Sequence, residues 1–240
     1  MFRLIYIFLL SGMVSVLFFA CKEKRIVSDR LYQAHPDVLS DSLLWAEEIQ
    51  QKEGSKVVYS QNKMEIDVSK GATIWFREKL KGEIVISYDI TVIQNGGPND
   101  RVSDMNCFWM FSDPREEGGS LRLGESSRNG AFNNYHTLQG YYVGLGGHNN
   151  TKTRFRRYDG NAERPLLPEH DLSDPAVLIS PNQKYHVRLI ARGRRVQYFR
   201  DDSLIFDIQD NQPYTEGWFG FRTVTSHMII ENFRVLKKGR

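Results

Sequence analysis

The chain has few of the features that would name a chemistry outright. It holds two cysteines in 240 residues, Cys21 and Cys107, too few for a disulfide framework. Its net charge is +3 and no run of Lys and Arg exceeds three residues, so it lacks the basic footprint of a nucleic-acid binder. There is no GxSxG, no P-loop, no GxGxxG after a strand, no HExxH and no CxxC. Nucleotide-dependent and zinc-peptidase readings fall with those motifs, and little is left for a serine hydrolase. No helical periodicity is sustained after residue 55, and no internal repeat occurs. What remains is 40% hydrophobic and 25% charged, ordinary for a soluble globular domain. After a short leader, one domain of roughly 190 residues is the economical count, large enough to bury a core without staples.

Residues 1–20 read as a signal segment. Arg3 supplies the positive start, and Leu4–Leu10 with Met13–Ala20 the apolar stretch. Phe18-Phe19-Ala20-Cys21 resembles a relaxed bacterial lipobox, which implies lipidation of Cys21. Lys22-Glu23-Lys24-Arg25 comes directly after, so a stop-transfer span is disfavoured. Lipid chains would tether the domain to the bacterial envelope, periplasmic or at the outer-membrane surface, without embedding it. Residues 21–40, charged and broken by Pro36, read as a tether, and the domain as 41–240. Cys107, in the apolar run Cys107–Phe111, reads as a buried inert thiol.

Strand signals then recur at short spacing. Residues 41–53 fit either a short helix or a first strand, and the run of strand signals from Lys56 onward favours the strand. Val57–Tyr59, Met64–Val68 and Thr73–Phe76 are separated by a polar turn and by Gly71. Ile84, Ile86, Tyr88 and Ile90 share one face of 83–93. Asn106–Phe111 is a short aromatic strand, in which Asn106, Phe108 and Met110 should oppose Cys107, Trp109 and Phe111. Residues 112–134 form a long polar loop, of a length that in compact domains often carries function. Further strands are expected at 141–146, 152–158, 185–191, 196–200, 204–208, 218–223 and 227–236. About a dozen strands and almost no helix predict an all-β, antiparallel two-sheet sandwich.

One stretch, Tyr135–Asp171, concentrates His136, His148, His170, Tyr142, Tyr158, Arg154, Arg156, Arg157 and Arg164. With Phe155 toward the core, Arg154, Arg156 and Tyr158 share the opposite face.

Tyr185–Ile190, Val196–Asp201, Gly217-Trp218-Phe219-Gly220-Phe221-Arg222-Thr223 and Ile229–Val235 resemble the C-terminal half of concanavalin A-like (laminin G-like) jelly rolls. Gly71–Phe76 through Asp89 fits their first half. The chain is similar to secreted jelly-roll lipoproteins of bacterial glycan-degradation systems, whose fold relatives include polysaccharide lyases and 3-keto-disaccharide hydrolases. The resemblance implies the fold; the activity has to be argued from the site, because one fold hosts many functions.

The chemistry favoured on this reading is β-elimination of a uronic-acid polysaccharide. That reaction needs a cation on the carboxylate, a base for the adjacent proton and an acid for the leaving oxygen. Arg154 and Arg156 fit the first role, His136 or His148 the second, and Tyr142 or Tyr158 the third. Asn149, Asn150, Asn106, Trp109, Arg101, Arg222 and His227 are candidate substrate contacts. The alternatives are a non-catalytic glycan-binding lipoprotein using the same groups, or a glycoside hydrolase. The hydrolase needs two carboxylates on the groove, from Asp100, Asp104, Glu125, Glu169 and Asp171 or from a pair with Asp113. The Asn99–Asp104 oxygen cluster is of a kind that Ca2+ takes, but it lacks EF-hand spacing, and no cofactor or metal is assigned. The expected partner is an acidic polysaccharide, with membrane contact through the lipid alone and no nucleic acid.

Overall fold

The computed structural model describes residues 32–33 and 38–237; the leader, Cys21 and most of the tether lie outside the described residues. Among the described residues fourteen strands pair antiparallel: β1 (Tyr32–Gln33), β2 (Trp45–Ile49), β3 (Lys56–Ser60), β4 (Lys63–Phe76), β5 (Leu80–Lys81), β6 (Ile84–Val92), β7 (Asn106–Ser112), β8 (Gln139–Gly146), β9 (Lys152–Asp159), β10 (Asp171–Leu172), β11 (Lys184–Arg192), β12 (Arg195–Arg200), β13 (Ser203–Gln209) and β14 (Glu216–Lys237). Residues 42–44, which the sequence leaves between helix and strand, make a 3-10 turn that feeds β2.

Two long strands organise the sheet. The sequence predicts breaks at Gly71 and between 223 and 227, yet β4 and β14 run through both places. A bulge replaces the second break. The β14–β4 register shifts between Val224 and Ser226, and Thr225 takes a left-handed φ of 40°. The bend lets each long strand serve two layers. The first half of β14 pairs with β7 and with the end of β4, giving the layer β10-β9-β8-β7-β14-β4-β2. Its second half pairs with β6 and with the start of β4, giving β13-β12-β11-β6-β14-β4-β3. The sheet is thus curled onto itself as a jelly roll.

The core lies between the layers. Phe155 of β9 meets Phe206 of β13 at 5.8 Å, and Tyr88 of β6 meets Phe221 of β14 at 5.0 Å, edge to face. β6 alternates as its sequence predicts, with Ile84, Ile86, Tyr88, Ile90 and Val92 buried. β7 does not. Met110 has a φ of 53°, so Cys107, Trp109 and Met110 face the main core while Phe108 and Phe111 face the other side. Trp109 is therefore a core residue, 1% exposed against Tyr141 and Phe155, and not a sugar platform. Cys107 is fully buried, and burial pushes its thiol up to about 12. Among the described residues no helix is long and apolar enough to cross a membrane.

Candidate functional site

The outward face of the β10–β2 layer carries two rungs of side chains. In one, Ala46, Trp75, Gly220, Phe108, Tyr142 and Arg156 are successive cross-strand partners over six strands. In the next, Glu48 pairs with Thr73, Thr73 with Arg222 and Arg222 with Asn106; Gly144 then pairs with Arg154 and Arg154 with Asp171. The pairing of Cys107 with Val143 sets Gly144 beside Asn106. One side of this face is apolar, the other cationic. Gly220 matters because the Trp75 ring lies where its Cβ would be, at 2.6 Å, which lets Trp75 stack on Phe108 at 5.5 Å.

Residues 113–138 fold over the apolar side. Leu121, Tyr135 and Leu138 pack on Trp75, Phe108, Phe111 and Tyr158. Glu48 fixes this cover. Its buried carboxylate accepts from Trp75 Nε1 at 2.9 Å, Tyr135 Oη at 2.7 Å, Ser126 Oγ at 3.0 Å and the Arg128 guanidinium at 3.0 Å. Arg222 is a second fastening: 1% exposed, it donates to Gly130 O at 2.5 Å and sits against the rings of Phe132 and Tyr135. The sequence offers Arg222 as a substrate contact; the structure places it beneath the cover.

What stays open is a cavity of about 440 Å3 lined by Asp104, Phe132, Tyr142, Gly144, Gly147, His148, Arg154, Arg156 and Arg164. Tyr142 lies across Gly144, whose absent Cβ would meet the hydroxyl at 2.6 Å. His148 comes from a turn at 147–150 that winds left-handed, with φ of 53°, 56° and 59° at His148, Asn149 and Asn150. Asn150 exchanges hydrogen bonds with the backbone of Ile179 at 2.7 and 2.9 Å, and Asn149 accepts from Arg101 at 2.8 Å. Both asparagines hold this turn.

The arginines are not equivalent. Arg154 is bound bidentately by Asp171 and also contacts His148 Nε2. Arg156 donates to the carbonyl of Arg164, while the Arg164 guanidinium lies 5.1 Å over Phe132. Among the described residues neither Arg156 nor Arg164 has a carboxylate at ion-pair distance. Burial, then the charge of Arg164, draws the Arg156 pKa down. His136, edge-on to Phe132 at 5.1 Å, is lowered to about 4 by burial and then by Arg164, Arg156 and Arg222. The Tyr142 and Tyr158 hydroxyls are both pushed up, by burial first.

Several assignments from the sequence change. Tyr158 is fully buried against Phe108 and Phe111, and His136 sits behind Phe132. His227 lies on the other half of the sheet, between Asp100 at 3.0 Å and Glu65 at 3.2 Å. The carboxylates are largely engaged: Asp171 by Arg154, Asp104 by Arg101, Asp113 by Arg115, and Asp100 by the backbone N–H groups of Asn95 and Gly97. Asp100 and Asp104 thus do not form one ligand set, and no metal-ligating cluster of His, Cys, Asp or Glu occurs among the described residues. Phe132, Gly144 and Glu48 carry no signal of a role in the amino-acid order, and Arg164 is there only one arginine of a rich stretch. Folding alone brings them to the cavity or its cover.

The chain belongs to the family described as "Domain of unknown function (DUF6250)", which matches residues 66–233. No curated protein matches it. Among solved structures it is similar to a Bacillus subtilis protein of unknown function with a galectin-like fold, at 18% identity and a TM-score of 0.64 over 85% of this chain and 94% of that one. It is also similar to the carbohydrate-binding module CBM66 from Bacillus subtilis, at 15% identity and a TM-score of 0.53 over 81% and 96%. A third is the carbohydrate recognition domain of Emp46p in a potassium-bound form, at 12% identity and a TM-score of 0.54 over 85% and 96%. At these identities the likeness establishes the galectin-like jelly-roll fold.

Proposed function

We propose that this member of the DUF6250 family is a glycan-binding module that takes an acidic sugar in the cavity beside Tyr142. The observation that carries the proposal is the pair Arg156 and Arg164, two guanidinium groups that have no carboxylate at ion-pair distance among the described residues, next to the rings of Phe132 and Tyr142. A cavity of this size, with two aromatic rings beside a cluster of charged groups, suits a small polar ligand or one end of a polymer. Guanidinium forks match a carboxylate or sulfate, and aromatic faces match the apolar face of a pyranose. Two structures of similar fold are named for carbohydrate binding, which supports the same reading.

The test is calorimetric titration of residues 22–240 with acidic and neutral oligosaccharides at two salt concentrations. An acidic preference that weakens with salt is expected. Equal affinity for neutral glycans would remove the acidic part of the proposal, and no affinity for any glycan would overturn it.

β-Elimination is the second reading, because His148, Tyr142 and Arg154 face one cavity. Its chemistry is less well served: Tyr142, raised by burial, keeps the proton its acid role needs, but Arg154, the cation meant for the carboxylate, is already neutralised by Asp171. An unsaturated product absorbing in the near ultraviolet would restore the lyase to first place. The envelope location, through a lipid on Cys21, is part of the proposal. Loss of metabolic lipid labelling in Cys21→Ser is the expected result.

A further inference from the structure

Arg101 occupies a setting that resembles a cation site more than a surface ion pair. Its Nη2 donates to Asp104 Oδ2 at 2.6 Å and to Val224 O; its Nη1 donates to Asn149 Oδ1 at 2.8 Å, and its Nε to Thr225 O at 3.0 Å. A carboxylate, a side-chain amide and two main-chain carbonyls thus converge on one guanidinium. They come from three separate segments: the loop after residue 100, the 147–150 turn and the bulge of β14. Each segment has left-handed residues at this point, Asp104 with φ 59°, His148 and Asn149 with 53° and 56°, and Thr225 with 40°. Non-glycine residues adopt that conformation at a cost, and the surroundings must hold them there. Asp104 is further fixed by Ser103 Oγ at 2.8 Å, while Asp104 and His148 both line the cavity.

We propose that Arg101 is the positioning residue of the cavity. It acts as a built-in cation that locks the His148 turn to the β14 bulge, and so sets the wall formed by Asp104, Gly147 and His148. The inference rests on the glycan-binding reading only for its consequence in affinity; the local ordering stands without it. Asn150 pins the far end of the same turn to Ile179, so loss of Arg101 should loosen the turn without detaching it.

The test is hydrogen exchange on Arg101→Ala, followed at the Thr151 amide, which donates to Gly147 O at 3.0 Å. Exchange should quicken roughly tenfold or more, as for loss of a charge-assisted hydrogen bond, while β8 and β9 amides keep their protection. Millimolar guanidinium should slow it again, and sodium at the same ionic strength should not. Arg101→Lys should restore part of the protection. Affinity for the acidic oligosaccharide should rank the variants in the same order. Unchanged exchange in Arg101→Ala, or equal rescue by sodium, would overturn the proposal. Quickened exchange with guanidinium rescue, in a protein whose wild type binds no glycan, would sustain the positioning role and count against the binding function alone.

Discussion

Arg154 donates to both carboxylate oxygens of Asp171, at 2.8 and 3.1 Å, across adjacent strands β9 and β10. That fork neutralises one arginine of the cavity and not the next. Arg154, one of the two arginines the sequence offers for a carboxylate, has its anion already; Arg156, two residues on along the same face, has none at ion-pair distance among the described residues.

Opposite effects are therefore expected at the two positions. Arg156→Gln should weaken binding of an acidic oligosaccharide about tenfold or more, the equivalent of one hydrogen bond to a charged group. Asp171→Asn frees Arg154 and should tighten the same binding several-fold, with a steeper salt dependence. Calorimetry at low and high salt measures both. Equal losses in the two variants would mean that Asp171 serves the ligand and not Arg154.

Glu48 should behave as a structural anchor. Glu48→Ala strands the buried Arg128 guanidinium and removes the acceptor of Trp75, Ser126 and Tyr135. A loss of about 3–5 kcal/mol is expected, as for breaking a buried ion pair from one side. Tyr135→Phe removes one hydrogen bond and should cost about 1 kcal/mol. Denaturant titration gives the energies, and proteolysis within 113–138 should quicken most in Glu48→Ala.

Acid sensitivity should begin at His136. Its folded pKa of about 4 lies below the ordinary histidine value, so between the two the unfolded chain holds the proton that the folded one refuses. The stability that His136 contributes should be fully present above about pH 6.5 and be lost as pH falls toward 4. His170, also lowered by burial, acts in the same direction. The stabilisation from Asp171, held low by Arg154, is lost only as pH falls below the ordinary aspartate range. His136→Gln should flatten the slope between pH 6.5 and 4 in part. Midpoints from thermal melts across that range would show it.

Gly220→Ala and Gly144→Ala make a matched pair. At Gly220 the new methyl meets the Trp75 ring within the closed aromatic cluster, and overpacking of about 1–3 kcal/mol is expected. At Gly144 it meets the Tyr142 hydroxyl, the far end of a side chain that lines the cavity. The first variant should lower the melting temperature, and the second should chiefly lower affinity.

The all-β architecture is legible in the amino-acid order alone, because a period of two with turns at short spacing leaves few other ways to bury a face. So is the placement of Arg154 and Arg156 opposite Phe155, since local alternation fixes which way each side chain points. Alternation fails at Met110, at Gly71 and at Thr225, where bulges or tolerated glycines keep long strands continuous. Those devices are read from pairing partners and not from composition. Which arginine is neutralised, which asparagines are structural, and that Arg222 fastens a loop are outcomes of contacts over tens to hundreds of residues. Asp171 lies 17 residues from Arg154, Glu48 lies 87 from Tyr135, and Arg101 lies 124 from Thr225. No local pattern encodes such pairs; only the folded chain brings them within hydrogen-bonding reach.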